Sequence, residues 1–235
     1  PFMPEQVKQE NIKRWKAKGE DEFRKRALGE LVTDSVLMYP NFSKDVHNAI
    51  KFEGPRNKVQ EYLANNDGKP GEKWCKYMVV DPGHSVCAVT FYAVPPASFG
   101  DHIVCFDELY IQHCTAAKFG VMVAQKIQQH GGSYEAFIID AHGGRIREIG
   151  SGVLPRIQYS KALEENKAFS TATGSNFLSG SDDVPGREMK LRTWINIQHN
   201  GFPKLMVVTA RCPNLCREFN RFKKKTINGF VTDEG

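Results

Sequence analysis

The hydrophobic pattern divides the chain near residue 75. Before that point, "PEQVKQENIKRWKAKGEDEFRKRALGE" is strongly charged and helical in character, with Ile12, Trp15, Phe23 and Leu28 as its sparse apolar marks. "VTDSVLMYPNF" reads as a short extended segment, and turn residues flank a short helix within "FEGPRNKVQEYLANNDGKPGEKW". From Lys76 the pattern sharpens. "KYMVV", "SVCAVTFYAV" and "HIVCFDELYIQ" alternate as three strands joined by short turns, which makes them antiparallel neighbours. "TAAKFGVMVAQKIQQH" places Phe119, Val123 and Ile127 at helical spacing behind a Thr115 cap. "EAFIID" is a fourth strand. Helices around "IQYSKALEENKA" and over "SGSDDVPGREMKLRTWINIQHNG" lead to a fifth strand, "PKLMVVTA", and a last helix, "CPNLCREFNRFKKK".

The predicted order is β-β-β-α-β-α-α-β-α. A helix between the third and fourth strands permits a crossover that lays the fourth beside the first. This is the succession of the ribonuclease H-like α/β fold, a mixed five-stranded sheet of order 3-2-1-4-5 with strand 2 antiparallel and flanking helices. In that order Asp81 and Asp140, each at the end of an apolar strand, lie side by side at one carboxyl-terminal sheet edge. Either aspartate alone reads best as a turn starter; the pair in this order reads as a site. Two adjacent carboxylates resist ionising together, and a hard cation between them removes the conflict. Mg²⁺ or Mn²⁺ suits such oxygen donors, and two ions ~3.5–4 Å apart perform phosphodiester hydrolysis.

Composition adds little. Over 235 residues the formal net charge is +5, a mild basic bias compatible with a polyanionic partner and not demanding one. No apolar run approaches the ~18 residues a membrane span needs. The six cysteines read as reduced, buried thiols, since the Cys-x3-Cys of "CPNLC" has no matching second pair of ligands.

Other polar residues form an outer tier. Glu108, in the third strand, could reach the metal site from its edge, although a solvent-facing strand acid is the simpler reading. His84 and His142 follow the two aspartates and could touch a phosphate or order a water. Asp182 and Asp183 read as a helix cap. Arg145 and Arg147 stand close behind Asp140, where a scissile strand would pass. Arg221, Lys223, Lys224 and Lys225 concentrate positive charge after the last helix and could bind phosphates without reading sequence.

The phrases "VVDPG", "FDELYI", "IIDAHGGRIREIG", "SGSDD" and above all "NGFPKLMVVTARCPNLCREF" resemble the nuclease domain of large terminase subunits of tailed bacteriophages, over residues 76 to 230. "ALGELVTDSVLMYPNF" is similar to the segment that joins the terminase motor to its nuclease. The resemblance implies a divalent-metal-dependent endonuclease that cuts concatemeric double-stranded viral DNA during packaging. It also implies a small terminase subunit and a portal protein as partners, and action in the cytoplasm of an infected bacterium while docked on the procapsid. Residues 1–75 are then an extension from the ATPase motor, and residues 76–235 the nuclease. No Gly-rich phosphate loop occurs, so ATP hydrolysis is not expected. The family's third acid lies in a helix after the fifth strand; Asp233 is the nearest substitute here. The alternatives are a junction resolvase or transposase-type nuclease of the same fold, and a non-catalytic module docking on portal or small terminase.

Overall fold

The computed structural model describes residues 9–13, 37–51, 54–83, 85–148, 151–223, 226–227 and 230–231. The chain forms two compact units, residues 39–222 and residues 1–38 with 223–235. In the second unit, residues 9–13 are helical, and β7 (Thr226–Ile227) pairs antiparallel with β8 (Phe230–Val231). The rest of the charged run expected as a helix near the start lies outside the described residues.

The first unit holds α1 (Lys58–Asn65), β1 (Cys75–Pro82), β2 (Val86–Val94), β3 (Ile103–Gln112), α2 (Ala116–His130), β4 (Tyr134–Ile139), α3 (Pro155–Glu165), β5 (Leu178–Ser179), α4 (Val184–Ile195), β6 (Leu205–Val207) and α5 (Pro213–Arg221). Strict alternation of buried and half-buried positions along β2 is what a sheet covered more heavily on one side produces. Helix α2 starts where Thr115 accepts from the Lys118 amide and stops at Gly131, whose φ of 62° closes the last turn. Helix α1 starts with a capping box between Asn57 and Gln60.

The sheet runs β5-β4-β1-β2-β3-β6. Strand β2 is antiparallel to β1 and β3, and β4 is parallel to β1, as the ribonuclease H-like arrangement requires. One strand departs from the expected order. The "KLMVV" strand was expected beside β4; as β6 it pairs parallel with β3, at the opposite edge. The place beside β4 is taken by the two-residue β5. The physical reason is α4, whose Leu191, Trp194 and Ile195 pack with Leu205 and Val207 of β6 and with Cys105 of β3. That cluster anchors the chain on the β3 side before β6 begins.

Helices cover both faces. On one, Met78, Val80, Phe91, Phe106, Phe137 and Ile139 meet α2 through Phe119, Val123 and Ile127, α3 through Tyr159 and Leu163, and α1 through Val59 and Leu63. The other face carries α4 and α5 at the β3–β6 side. There Cys105, Cys212 and Cys216 are buried free thiols, with Cys105 Sγ 3.7 Å from Cys212 Sγ. A polar network sits at the amino-terminal end of β4. Asp107 Oδ2 accepts from Lys126 Nζ at 2.6 Å and from His130 Nε2 at 2.8 Å, and Tyr134 donates to His130 Nδ1 at 2.7 Å.

Candidate metal centre at the β1–β4 edge

Two local turns create the site. Strand β1 ends at Asp81-Pro82-Gly83, where the chain reverses into β2. A side chain on Gly83 would put its Cβ 2.1 Å from the Val86 carbonyl oxygen, so this turn closes only around glycine. Strand β4 ends at Ile139, and Asp140 opens a one-turn 3₁₀ segment over Gly143–Arg145.

The register then decides where the aspartates point. Val79 pairs with Ile138 and Val80 with Ile139, and the Asp140 amide donates to the Val80 carbonyl at 2.9 Å. Alternation therefore sends Asp81 and Asp140 to the same face as Val79 and Ile138, on strands ~4.8 Å apart. Because β5 continues the register with Ser179 beside Ile139, Gly180 follows at the level of Asp140, and its amide donates to Ile139 O at 2.8 Å. The chain leaves the sheet there and enters α4 through Asp183, which accepts from the Gly186 amide.

Asp140 is half-fixed. Its Oδ2 accepts from the Gly143 amide at 2.7 Å, and its Oδ1 faces Arg187 Nη1 at 3.8 Å. Asp81 is reached by solvent but crowded by its surroundings. That partial desolvation, and then the charge of Asp140, push its carboxyl above the usual carboxylate range. Mutual repulsion of this kind is what a bound cation relieves. Hard oxygen donors, one of them without a short hydrogen bond, fit a divalent ion whose remaining ligands are water and phosphate oxygen. Among the described residues, no group of three or more His, Cys, Asp or Glu side chains converges, so the described donor set is these two carboxylates.

The remaining sequence candidates separate. Glu108 is committed elsewhere: Oε1 accepts from the Asn214 amide and side chain, both at 2.7 Å, and Oε2 from the Leu215 amide at 2.8 Å. It caps the start of α5 and does not join the aspartates. His142 is exposed in the turn after Asp140. Arg145 is exposed in the same turn, with Nη1 3.9 Å from Asp182 Oδ2, and Arg147 donates to Gly152 O at 2.8 Å. Arg221 ends α5, which packs on β3, separated from β4 by β2 and β1. Lys223 belongs to the other unit. His84, Lys224, Lys225 and Asp233 lie outside the described residues.

Arg187 was not legible as a site residue, since "GREMKLR" reads as the solvated face of a helix. Its one signal is position, on the first turn of a helix that starts behind the "SGSDD" cap. Beside the acid pair, a pocket of about 310 Å³ is lined by Pro82, Gly83, Cys87, Gly143, Arg147 and Tyr159, among others.

No protein-family model matches the sequence, and no curated protein matches it. Solved structures do. The nuclease domain of the large terminase of bacteriophage SPP1, determined with bound Mn, is 16% identical, with a TM-score of 0.43 over 85% of this chain and 91% of that one. The nuclease domain of the P22 large terminase is 14% identical, with a TM-score of 0.49 over 83% of each chain. The human cytomegalovirus terminase nuclease domain is 10% identical, with a TM-score of 0.39 over 66% of this chain and 81% of that one.

Proposed function

We propose that the chain is a divalent-metal-dependent endonuclease that hydrolyses double-stranded DNA, and that it serves as the nuclease half of a packaging terminase. The observation that carries this reading is the placement of Asp81 and Asp140 on one face of adjacent parallel strand ends. Residues 1–75 would be the extension linking the nuclease to a motor half, with α1 packed into the nuclease core, and residues 76–235 the nuclease. Concatemeric viral DNA, a small terminase subunit and a portal protein are the proposed partners, in the cytoplasm of an infected bacterium.

In this reading Asp81 and Asp140 hold Mg²⁺ or Mn²⁺, and a two-ion site takes a further ligand, for which Asp233 is the sequence candidate. Bound metal supplies an activated water and stabilises the departing oxygen of the phosphodiester. The protein groups do the rest. The Gly143 amide fixes Asp140 through Oδ2 and leaves Oδ1 facing Arg187. The Asp81 carboxyl, raised by desolvation and then by the charge of Asp140, is the group whose ionised form a bound cation would favour. Arg145 and Arg147, exposed just past Asp140, are suited to contact the DNA backbone without base readout.

Plasmid nicking in Mg²⁺ or Mn²⁺ tests the assignment. Asp81→Asn and Asp140→Asn are each expected to lose at least ~100-fold in rate while keeping the fold by circular dichroism. Wild-type activity in Asp81→Asn overturns it.

A further inference from the structure

Around Asp140 two arginines pair crosswise. Arg145, on the turn that follows β4, reaches Asp182 on the segment leading into α4; Arg187, on α4, reaches Asp140 at the end of β4. The backbone holds this arrangement, because Gly180 is tied to β4 and the Arg187 amide donates to Asp183 O at 3.1 Å, locking Arg187 on the first helical turn. Arg187 therefore has a defined root and an exposed tip. Its side chain is 46% exposed, and its 3.8 Å separation from Asp140 Oδ1 is well beyond the ~2.7–2.9 Å of a charge-assisted hydrogen bond.

The oxygen it faces matters. Oδ2 of Asp140 already accepts from the Gly143 amide, whereas Oδ1 has the Arg187 guanidinium as its facing group and is the less committed oxygen for a metal ion. An ion and the Arg187 guanidinium would compete for the same oxygen. An exposed, loosely held pair is the kind that yields to a divalent ion at little cost. Once displaced, a planar guanidinium rooted on the first turn of α4 with its tip beside Asp140 is well shaped to hold two oxygens of a phosphate.

We infer that Arg187 is an exchangeable counter-ion of the site: it neutralises Asp140 before metal binds, and it transfers to a non-bridging oxygen of the DNA phosphate once metal occupies the carboxylates. The inference rests on the nuclease reading and adds a substrate-binding residue to it.

The test uses R187Q, R187K and D81N beside the wild type, with thermal stabilisation by MnCl₂ as one readout and the KM for plasmid nicking as the other. In R187Q the Mn²⁺ concentration giving half-maximal stabilisation falls about two- to five-fold, the size of the competition an exposed ion pair offers. Its KM for DNA rises by roughly ten-fold, as expected for loss of a bidentate phosphate contact. R187K keeps the charge and loses the fork, so its Mn²⁺ midpoint stays near that of the wild type while its KM rises. The melting temperature without metal reports that each variant folds. An unchanged or higher Mn²⁺ midpoint in R187Q, or an unchanged KM, overturns the inference. With D81N still blind to Mn²⁺, such a result leaves the nuclease reading standing. Absence of Mn²⁺ stabilisation in the wild type removes the nuclease reading, and the exchange falls with it.

Discussion

Pro82 and Gly143, two turn residues from strands far apart in the chain, touch each other. A Cβ on Gly143 would lie 3.0 Å from Pro82 Cγ and 3.3 Å from Pro82 O. Each residue follows one of the paired aspartates closely, so the contact sets how near the two carboxylate-bearing turns can come. Gly143→Ala is expected to push them apart by a few tenths of an ångström, costing about 1–2 kcal/mol of stability. Urea unfolding measures that cost. Mn²⁺ stabilisation should weaken in the same variant, while an equal mutation at Gly152, whose Cβ would meet nothing, leaves the metal response unchanged. Gly152 has a φ of 67°, so alanine there carries its own backbone strain, which makes it a control for stability loss without site damage.

Asp81 supplies a second expectation. Its carboxyl is raised by desolvation and by Asp140, so the folded state holds this proton more tightly than the unfolded chain does. Ionised Asp81 therefore costs stability at neutral pH; the cost shrinks as pH falls through the raised value and is gone below the ordinary 3.8. Asp81→Asn should melt at a higher temperature than the wild type in EDTA and lose all response to Mn²⁺. For the wild type, Mn²⁺ stabilisation should fade as pH drops through the raised carboxyl range, because proton and cation compete for one group. Differential scanning fluorimetry across pH measures both.

Buried histidines predict the opposite slope elsewhere in the molecule. Burial, only partly offset by hydrogen bonds, pushes His47, His102 and His130 below the ordinary value of 6.5. The unfolded chain then takes up protons that the folded one refuses, and stability falls as pH drops from 6.5 downward. Asp107 follows lower still. Burial alone would raise its carboxyl, but hydrogen bonds from His130 and Lys126 outweigh it and leave the group below 3.8. Its contribution is present above 3.8 and is lost as pH falls through the lowered value. The urea midpoint should drop between about pH 7.5 and about pH 5.5. Asp107→Ala, which strips acceptors from His130, Lys126 and the Glu108 amide, should cost about 2–4 kcal/mol.

Glu108 separates structure from chemistry. Three hydrogen bonds onto the start of α5 make it a helix cap, so Glu108→Ala is expected to cost about 1–3 kcal/mol. The Mn²⁺ midpoint should not move. A shifted midpoint with unchanged stability would reassign Glu108 to the metal.

Much of this was written plainly in the chain. Strands β1 to β4 announce themselves because β-branched residues alternate over long runs and the turns between them are short. The helix between β3 and β4 leaves a parallel return as the economical path, and that return brings Asp81 beside Asp140. The edges were harder. Strand β6 is three residues, all buried, so no alternation betrays which neighbour it seeks. Its place is set by α4 and the cluster around Ile195, contacts that no local pattern carries. Strand β5, at two residues, is below what periodicity can register. Arg187 and the commitment of Glu108 were hidden for a related reason: both depend on which helix comes to rest beside which strand.

The hydrogen bond from the Asp140 amide to the Val80 carbonyl also has a temporal meaning. It joins segments on either side of the α2 crossover, and such distant pairings form late, after the entropy of closing a long loop has been met. A growing chain that has reached only β3 carries Asp81 without Asp140. On the reading given above, a polypeptide still on the ribosome is harmless to nucleic acid, and it becomes capable of cutting only when β4 has emerged and docked.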